Sequence, residues 1–192
     1  MTRAEQRERT RARIVEAAVA VFAERGFDGA STRLIAARAD TTQGLVTYHF
    51  PSKDELWRAA ADHVFGILGP AFDDVEPSGE ARRDGREVLR GFVEANAAHP
   101  EVFHFIVDAG RNDDDRMRWL VDEHLAPRFS QVLDFDGSAG VRAATTYYAI
   151  AGASSLIFSV APECRRLTGH DPSDPAVIDA HVELVLRLFT RS

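Results

Sequence analysis

The chain has 192 residues, 45% apolar and 28% charged, with a formal net charge of −7, a composition that builds a folded core and excludes a disordered segment. A single cysteine, Cys164, excludes an internal disulfide and a zinc finger, and the polar N-terminus has no apolar stretch of the secretory kind, so the cytoplasm is the expected compartment. The acidic balance speaks against a nucleic-acid partner, because affinity for DNA comes largely from Lys and Arg neutralising phosphates.

Helical periodicity runs through the chain and no alternating run insists on a strand, so the expected fold class is all-α. Residues 1–13 read as a flexible basic arm. The first helix carries Ile14, Ala18, Val21 and Phe22 on one face and should stop at Gly26. After a turn at Asp28–Ala30, Ser31 or Thr32 can cap a short second helix with Ile35, Ala36 and Ala39 on its apolar face. Asp40 and Thr41 form a tight corner, and Thr42 caps a third helix that runs to about Phe50, before Pro51. Ser52-Lys53-Asp54-Glu55 is a capping box for a fourth helix, with Leu56, Ala60, Val64 and Ile67 in line, broken at Gly69–Pro70. Asp73 to Gly85 reads as a linker.

Further helices follow. One carries Val88, Leu89, Phe92 and Val93; another Val102, Phe103, Ile106 and Ala109; a third Met117, Leu120, Val121, His124 and Leu125, with a kink at Pro127. A helix from Gly140 to about Ala161 includes 19 residues without a charge, Ala143 to Ala161. That length approaches a bilayer span, but its hydroxyls and the missing basic flank favour a helix buried in protein, with no membrane partner. Asp174 and Pro175 open a last helix with Ile178, His181, Val182, Val185, Leu188 and Phe189.

Two short helices joined by a four-residue corner, with a longer helix before and another directly after, suggest a helix-turn-helix. Such a motif sets the start of its second helix against base edges in the major groove. Here that helix is Thr42 to His49. Val46 and Phe50 can face the small core, which leaves Gln43, Leu45 and Thr47 outward. Gln43 suits adenine, Leu45 a thymine methyl, and Gly44 a close backbone approach. Thr32 and Arg33 open the helix before it, where a hydroxyl and free amides suit a phosphate. Tyr48, His49 and Lys53, the chain's one lysine, are donors of the kind that hold phosphates. Taken singly, Tyr48 and His49 could equally cover the first helix with their polar tips in solvent.

The residues Gly26-Phe27, Ser31-Thr32, Ile35-Ala36, Ala39, Gly44, Tyr48-His49-Phe50 and Ser52-Lys53-Asp54-Glu55-Leu56 resemble the DNA-binding domain of the TetR family of bacterial transcription regulators, over about residues 10–60. The resemblance implies a helix-turn-helix domain at 1–55 and a helical ligand-binding and dimerisation domain at 56–192. It puts Tyr48, His49 and Lys53 on the phosphate backbone and lets Arg33 reach a base. Two positions depart from the family's pattern: the corner is Asp40-Thr41 rather than Gly and an apolar residue, and Thr47 stands where an aromatic is usual. The implied function is a ligand-responsive regulator, a repressor released from a pseudo-palindromic operator on double-stranded DNA.

For the second domain, the resemblance implies a homodimer in which the last two helices meet their two-fold mates. Ala151 to Ser155 allow close approach there, and the alternative is an ordinary core helix. An effector site of unknown ligand would draw on Phe92, Phe103, Met117, Leu120, His124, Tyr147 and Tyr148, each of which could equally be plain core. No enzyme motif for a nucleophilic serine, a P-loop, a zinc helix or a dinucleotide is present, and no cofactor or metal is expected. Glu101 and His104 form only half of a di-iron motif, and Asp113-Asp114-Asp115 suits a helix first turn. The rival functions are a small-molecule or metal-binding protein of the same fold without specific DNA binding, and a helical-bundle enzyme.

The net charge divides unevenly. Residues 1–60 hold 10 basic and 8 acidic side chains, the remainder 13 and 22, and residues 1–13 alone hold five arginines against two glutamates. The expected reading head is mildly basic and the body acidic.

Overall fold

The computed structural model describes residues 2–76, 78–130 and 139–190. Among these there is no strand. Compactness divides the chain into Met1–Gly66 with His104–Leu120, and Ile67–Phe103 with Val121–Ser192, rather than at residue 55.

The first unit begins with α1 (Arg3–Gly29), α2 (Thr32–Arg38), α3 (Gln43–His49) and the start of α4 (Lys53–Asp73). Residues 3–13, expected as a flexible arm, are helical: Thr2 caps α1 by accepting from the Glu5 amide, and the Glu5 carboxylate returns to the Thr2 amide at 2.8 Å. That reciprocal pairing satisfies two free donors and starts the helix at Arg3, well before its apolar face begins at Ile14. Gly26 interrupts α1 as expected, at φ 67 and ψ 176. A Cβ there would stand 3.0 Å from the Asp108 carboxylate, so only glycine fits in both conformation and space.

Ser31 caps α2 through the Leu34 amide at 3.2 Å, and Thr42 caps α3 through the Leu45 amide at 3.3 Å. The corner between them is a Schellman turn. Thr41 N–H donates to the Ala36 carbonyl at 3.0 Å and Asp40 N–H to that of Ala37 at 3.4 Å, which places Asp40 at φ 47. Arg38 donates to Glu24 at 2.6 Å, holding α2 to α1. Ser52 opens α4 by accepting from the Glu55 amide at 3.1 Å, while its hydroxyl meets the Glu55 carboxylate at 3.3 Å. The core joins Ile14, Ala18, Phe22, Ile35, Val46, Phe50, Leu56 and Phe105, all buried. The Trp57 ring stacks on Phe105 at 5.4 Å, so α4 buries a wider arc than the expected line of Leu56, Ala60 and Val64.

Gly69 and Pro70 do not break α4, which continues to Asp73 with Pro70 inside. Proline removes one hydrogen bond and crowds the carbonyl four residues back, here that of Gly66, yet the helix runs on through it. The compact units divide at this same residue.

The second unit takes the end of α4, α5 (Ala81–Ala98), the start of α6 (Pro100–Ala109), a π-helical turn (Val121–Leu125), helical residues 126–130, α8 (Gly140–Ser159), α9 (Ala161–Thr168) and α10 (Pro175–Phe189). The rest of α6 and α7 (Asp115–Leu120) belong to the first unit. The expected kink at Pro127 takes the form of the π turn just ahead of it, which relieves the i to i−4 pattern that proline cannot complete. Gly91 lets α5 approach α4, since its Cβ would sit 3.2 Å from the Ala71 Cα.

The core of this unit is Leu89, Val93, Phe158, Val182, Val185 and Leu186. His181 donates from Nε2 to the Ala153 carbonyl at 2.8 Å and locks α10 to α8. Leu188, expected on the apolar face, is 61% exposed, and Leu186 is buried in its place. Asp174 stands at the cap of α10, yet its side chain makes no cap hydrogen bond. Among the described residues no single helix is long and apolar enough to cross a membrane; α8 and α9 meet that length and composition only as a pair bent by 73°.

Candidate nucleic-acid interface

α3 is anchored from below and open above. Val46 and Phe50 are buried in the core of the first unit, while Gln43, Gly44, Leu45 and Thr47 are exposed. The i, i+4 pair forces that division, because side chains between them project to the other side of the helix. At Gly44 a Cβ would meet only the Thr42 hydroxyl, at 3.9 Å, and the backbone has no positive φ. Nothing inside the chain therefore demands glycine at that position. Thr47 directs its hydroxyl back to the Gln43 and Gly44 carbonyls at 3.2 and 3.1 Å, so its methyl group is the part left for a partner.

The Gln43 amide donates to the Thr32 hydroxyl at 3.2 Å and joins the first residues of α3 and α2. Thr32 keeps its own proton for an acceptor outside the chain. Arg33 is exposed beside it on the first turn of α2.

The first turns of α1 lie along the end of α3. The Arg7 guanidinium is 5.6 Å from the centroid of Tyr48, itself 65% exposed, and Arg11 is 5.2 Å from that of Phe50. His49 meets Tyr48 edge to face at 5.3 Å. Burial holds the His49 pKa below 6.5, the Arg7 and Arg11 charges push it further down, and Glu8 opposes them. The imidazole is thus neutral at pH 7 and offers one N–H. Arg7 and Arg11 do not figure among the site residues expected from sequence. Their signal was the pattern Thr2-Arg3-Ala4-Glu5, a capping box that puts the two arginines one turn apart on a helix.

Lys53 is half-buried with its ammonium 4.3 Å from the Phe27 centroid. The same ring carries the Arg116 guanidinium at 3.4 Å, and Arg116 also pairs with Asp114 and, at 3.6 Å, with Asp54. Asp114 caps α7 through the Met117 amide at 3.0 Å, the main cause of its lowered pKa. Phe27 thus carries both cations; of the three residues, Arg116 is the one that the sequence does not distinguish.

The expected effector residues are divided between the two units. Met117 and Leu120 belong to the first unit, where Leu120 is fully buried and Met117 lines a narrow cleft with Trp57, Asp108 and Asn112. Phe92, Phe103, His124, Tyr147 and Tyr148 belong to the second. Phe92 packs on Phe72 at 5.8 Å and Tyr147 on Phe129 at 5.2 Å. Burial raises the Tyr147 phenol above its usual pKa. Tyr148 is 73% exposed and lies at i, i+4, i+8 with Gly152 and Leu156, on the outward side of α8, so it lines no interior site. No group of three or more metal-ligating side chains occurs among the described residues.

Residues 14–60 match the family model for bacterial regulatory proteins of the tetR family. The chain is 48% identical over 58 residues to the HTH-type transcriptional repressor Rv3405c of Mycobacterium tuberculosis, which covers 30% of this chain and 31% of that one. It is 33% identical over 102 residues to the HTH-type transcriptional regulator BetI of Burkholderia ambifaria, over 53% and 52% of the two chains. These matches span about a third of the one relative and about half of the other. A crystal structure of AibR with isovaleryl coenzyme A and operator DNA superposes with a TM-score of 0.72 over 95% of this chain and 100% of that one, at 14% identity, which is a likeness of fold.

Proposed function

We propose, from the match of residues 14–60 to the TetR family of bacterial transcriptional regulators, that the chain is a member of that family and a ligand-responsive regulator, a repressor, binding operator DNA as a homodimer. The observation that carries this reading is α3: a helix fixed by two buried apolar residues, with a glycine on its open face that nothing within the chain requires. A surface built for close approach by another backbone explains that glycine.

Gln43 and Leu45 read bases, with the Thr47 methyl beside them. Thr32, Arg33, Tyr48, His49 and Lys53 hold phosphates, joined by Arg7 and Arg11. The homodimer draws support from α8 and α10. Tyr148, Gly152 and Leu156 form one exposed stripe, Leu184 and Leu188 another, and a Cβ at Gly152 would meet nothing within 4 Å. Covering two such stripes removes apolar surface from water and presents two recognition helices to a two-fold site. The effector is a small apolar or amphipathic molecule taken up by the second unit, whose binding lowers the operator-competent population. No enzymatic step belongs to this function, which takes place in the cytoplasm.

The test is selection of bound fragments from the source genome, followed by titration of the selected duplex across salt concentrations. A regulator gives one preferred site and a steep negative slope of log K against log salt. Equal affinity for every duplex, or a flat slope, leaves a binding protein of the same fold that does not engage an operator.

A further inference from the structure

Arg128 lies in the helical stretch 126–130 with only 17% of its side chain exposed. Its guanidinium sits 5.0 Å from the Phe72 centroid. One corner is in use: Nη1 stands 3.8 Å from the Asp73 carboxylate, which is itself 60% exposed. The opposite edge, Nε with Nη2, is not. Nε is buried without a hydrogen-bond partner, the one arginine nitrogen in that condition among the described residues, and Nη2 lies over Gly69, 3.8 Å from where a Cβ would be. The surroundings are aromatic, with Phe72 against Phe92 at 5.8 Å and Phe129 against Tyr147 at 5.2 Å.

A buried arginine cannot shed its charge as a lysine can, so an unused donor edge among rings is a standing cost that another group must offset. The side-on edge of a guanidinium presents two parallel N–H donors, the arrangement that matches the two oxygens of one carboxylate. A monoanionic carboxylate matches the single charge of one guanidinium, whereas a phosphate dianion carries a second. We propose that Nε and Nη2 of Arg128 anchor the carboxylate of an apolar monocarboxylic acid, with its hydrocarbon part against Phe72, Phe92 and Tyr147. Asp73 is the positioning residue that turns this edge inward by holding Nη1. The proposal rests on the reading of the second unit as the effector domain and names the chemical class of that effector.

The experiment uses the full chain without DNA, so that its outcome does not depend on operator binding. Octanoate and 3-phenylpropanoate are titrated by calorimetry and thermal shift, against octanol and methyl octanoate as neutral counterparts of similar length. The carboxylates should bind saturably, at least tenfold more tightly than the neutral compounds. Arg128→Met should abolish that preference and, having removed an unpaired buried donor, should melt no lower than the parent without ligand. Arg128→Lys, which keeps the charge and loses the fork, should retain only part of the preference. The proposal is overturned if neither carboxylate binds, if octanol or the ester binds as well, or if Arg128→Met keeps the preference. A lower melting temperature for unliganded Arg128→Met overturns it too, since that makes Arg128 a structural residue.

Discussion

Gln43, the first residue of α3, donates its side-chain amide to the hydroxyl of Thr32, the first residue of α2, at 3.2 Å. The residue proposed to read a base is thereby tied to one proposed to hold a phosphate. The two should not act independently on DNA. Gln43→Ala is expected to cost about 1–3 kcal/mol at one base-pair position, and Thr32→Val should also weaken binding. In a double-mutant cycle measured by DNA titration the two losses should fall short of additive by about 1 kcal/mol. Strict additivity would show that the contact carries no function.

Arg7 and Arg11 stand over Tyr48 and Phe50 on a helix that begins at Arg3. Each arginine that meets a phosphate contributes about 0.9 to the slope of log K against log salt. Arg7→Ala with Arg11→Ala should therefore lower that slope by about two and leave the preferred sequence unchanged. Because these side chains also cover the end of α3, a small drop in melting temperature accompanies the loss.

His49 gives the interaction a dependence on pH. Its folded pKa lies below the ordinary histidine value of 6.5, through burial first and the Arg7 and Arg11 charges next. The unfolded chain therefore takes up the proton more readily, so the part of the stability linked to His49 is present above that value and is lost as pH falls through it. A phosphate beside the ring reverses the sign for binding. It raises the pKa, couples binding to proton uptake, and makes DNA affinity rise as pH falls, by no more than about tenfold per pH unit for one group. Titrations between neutral and mildly acidic pH check this, and His49→Gln should remove the dependence.

Asp40 occupies the left-handed position of the Schellman turn at φ 47, the one non-glycine residue with positive φ among those described. An L-residue there costs about 1–2 kcal/mol, offset in part by the greater chain entropy that glycine loses on folding. Asp40→Gly should stabilise the protein by about 0.5–1 kcal/mol and raise Tm by about 1–4 °C in a thermal melt.

Leu188 is exposed on α10 in the single chain, so Leu188→Glu should leave helix content unchanged. Across a two-fold interface the substitution buries two like charges. Sedimentation analysis should then find a monomer at concentrations where the parent is a dimer, with operator affinity lost in parallel.

The sequence by itself determined the helical class and most of the helices, though not the separate α9 or the passage of α4 through Pro70, together with the caps at Ser31, Thr42 and Ser52, the inward Val46 and Phe50, and the outward Gln43, Leu45 and Thr47. All of these depend on contacts within four residues, where spacing alone sets which side chains meet. The capping box at Thr2 and Glu5 is equally local and readable, although the apolar pattern begins only at Ile14. Tertiary structure decided what remains. Pro70 stays inside α4, although Gly-Pro locally favours a helix end, and Leu186 rather than Leu188 is buried because the partners of α10 lie in α5 and α8. The chain has 22 arginines that look alike in sequence. Only folding sets Arg7 and Arg11 over the end of α3, stacks Arg116 with Lys53 on Phe27, and buries Arg128 with one donor edge unused, because charge is local but its desolvation depends on residues far along the chain.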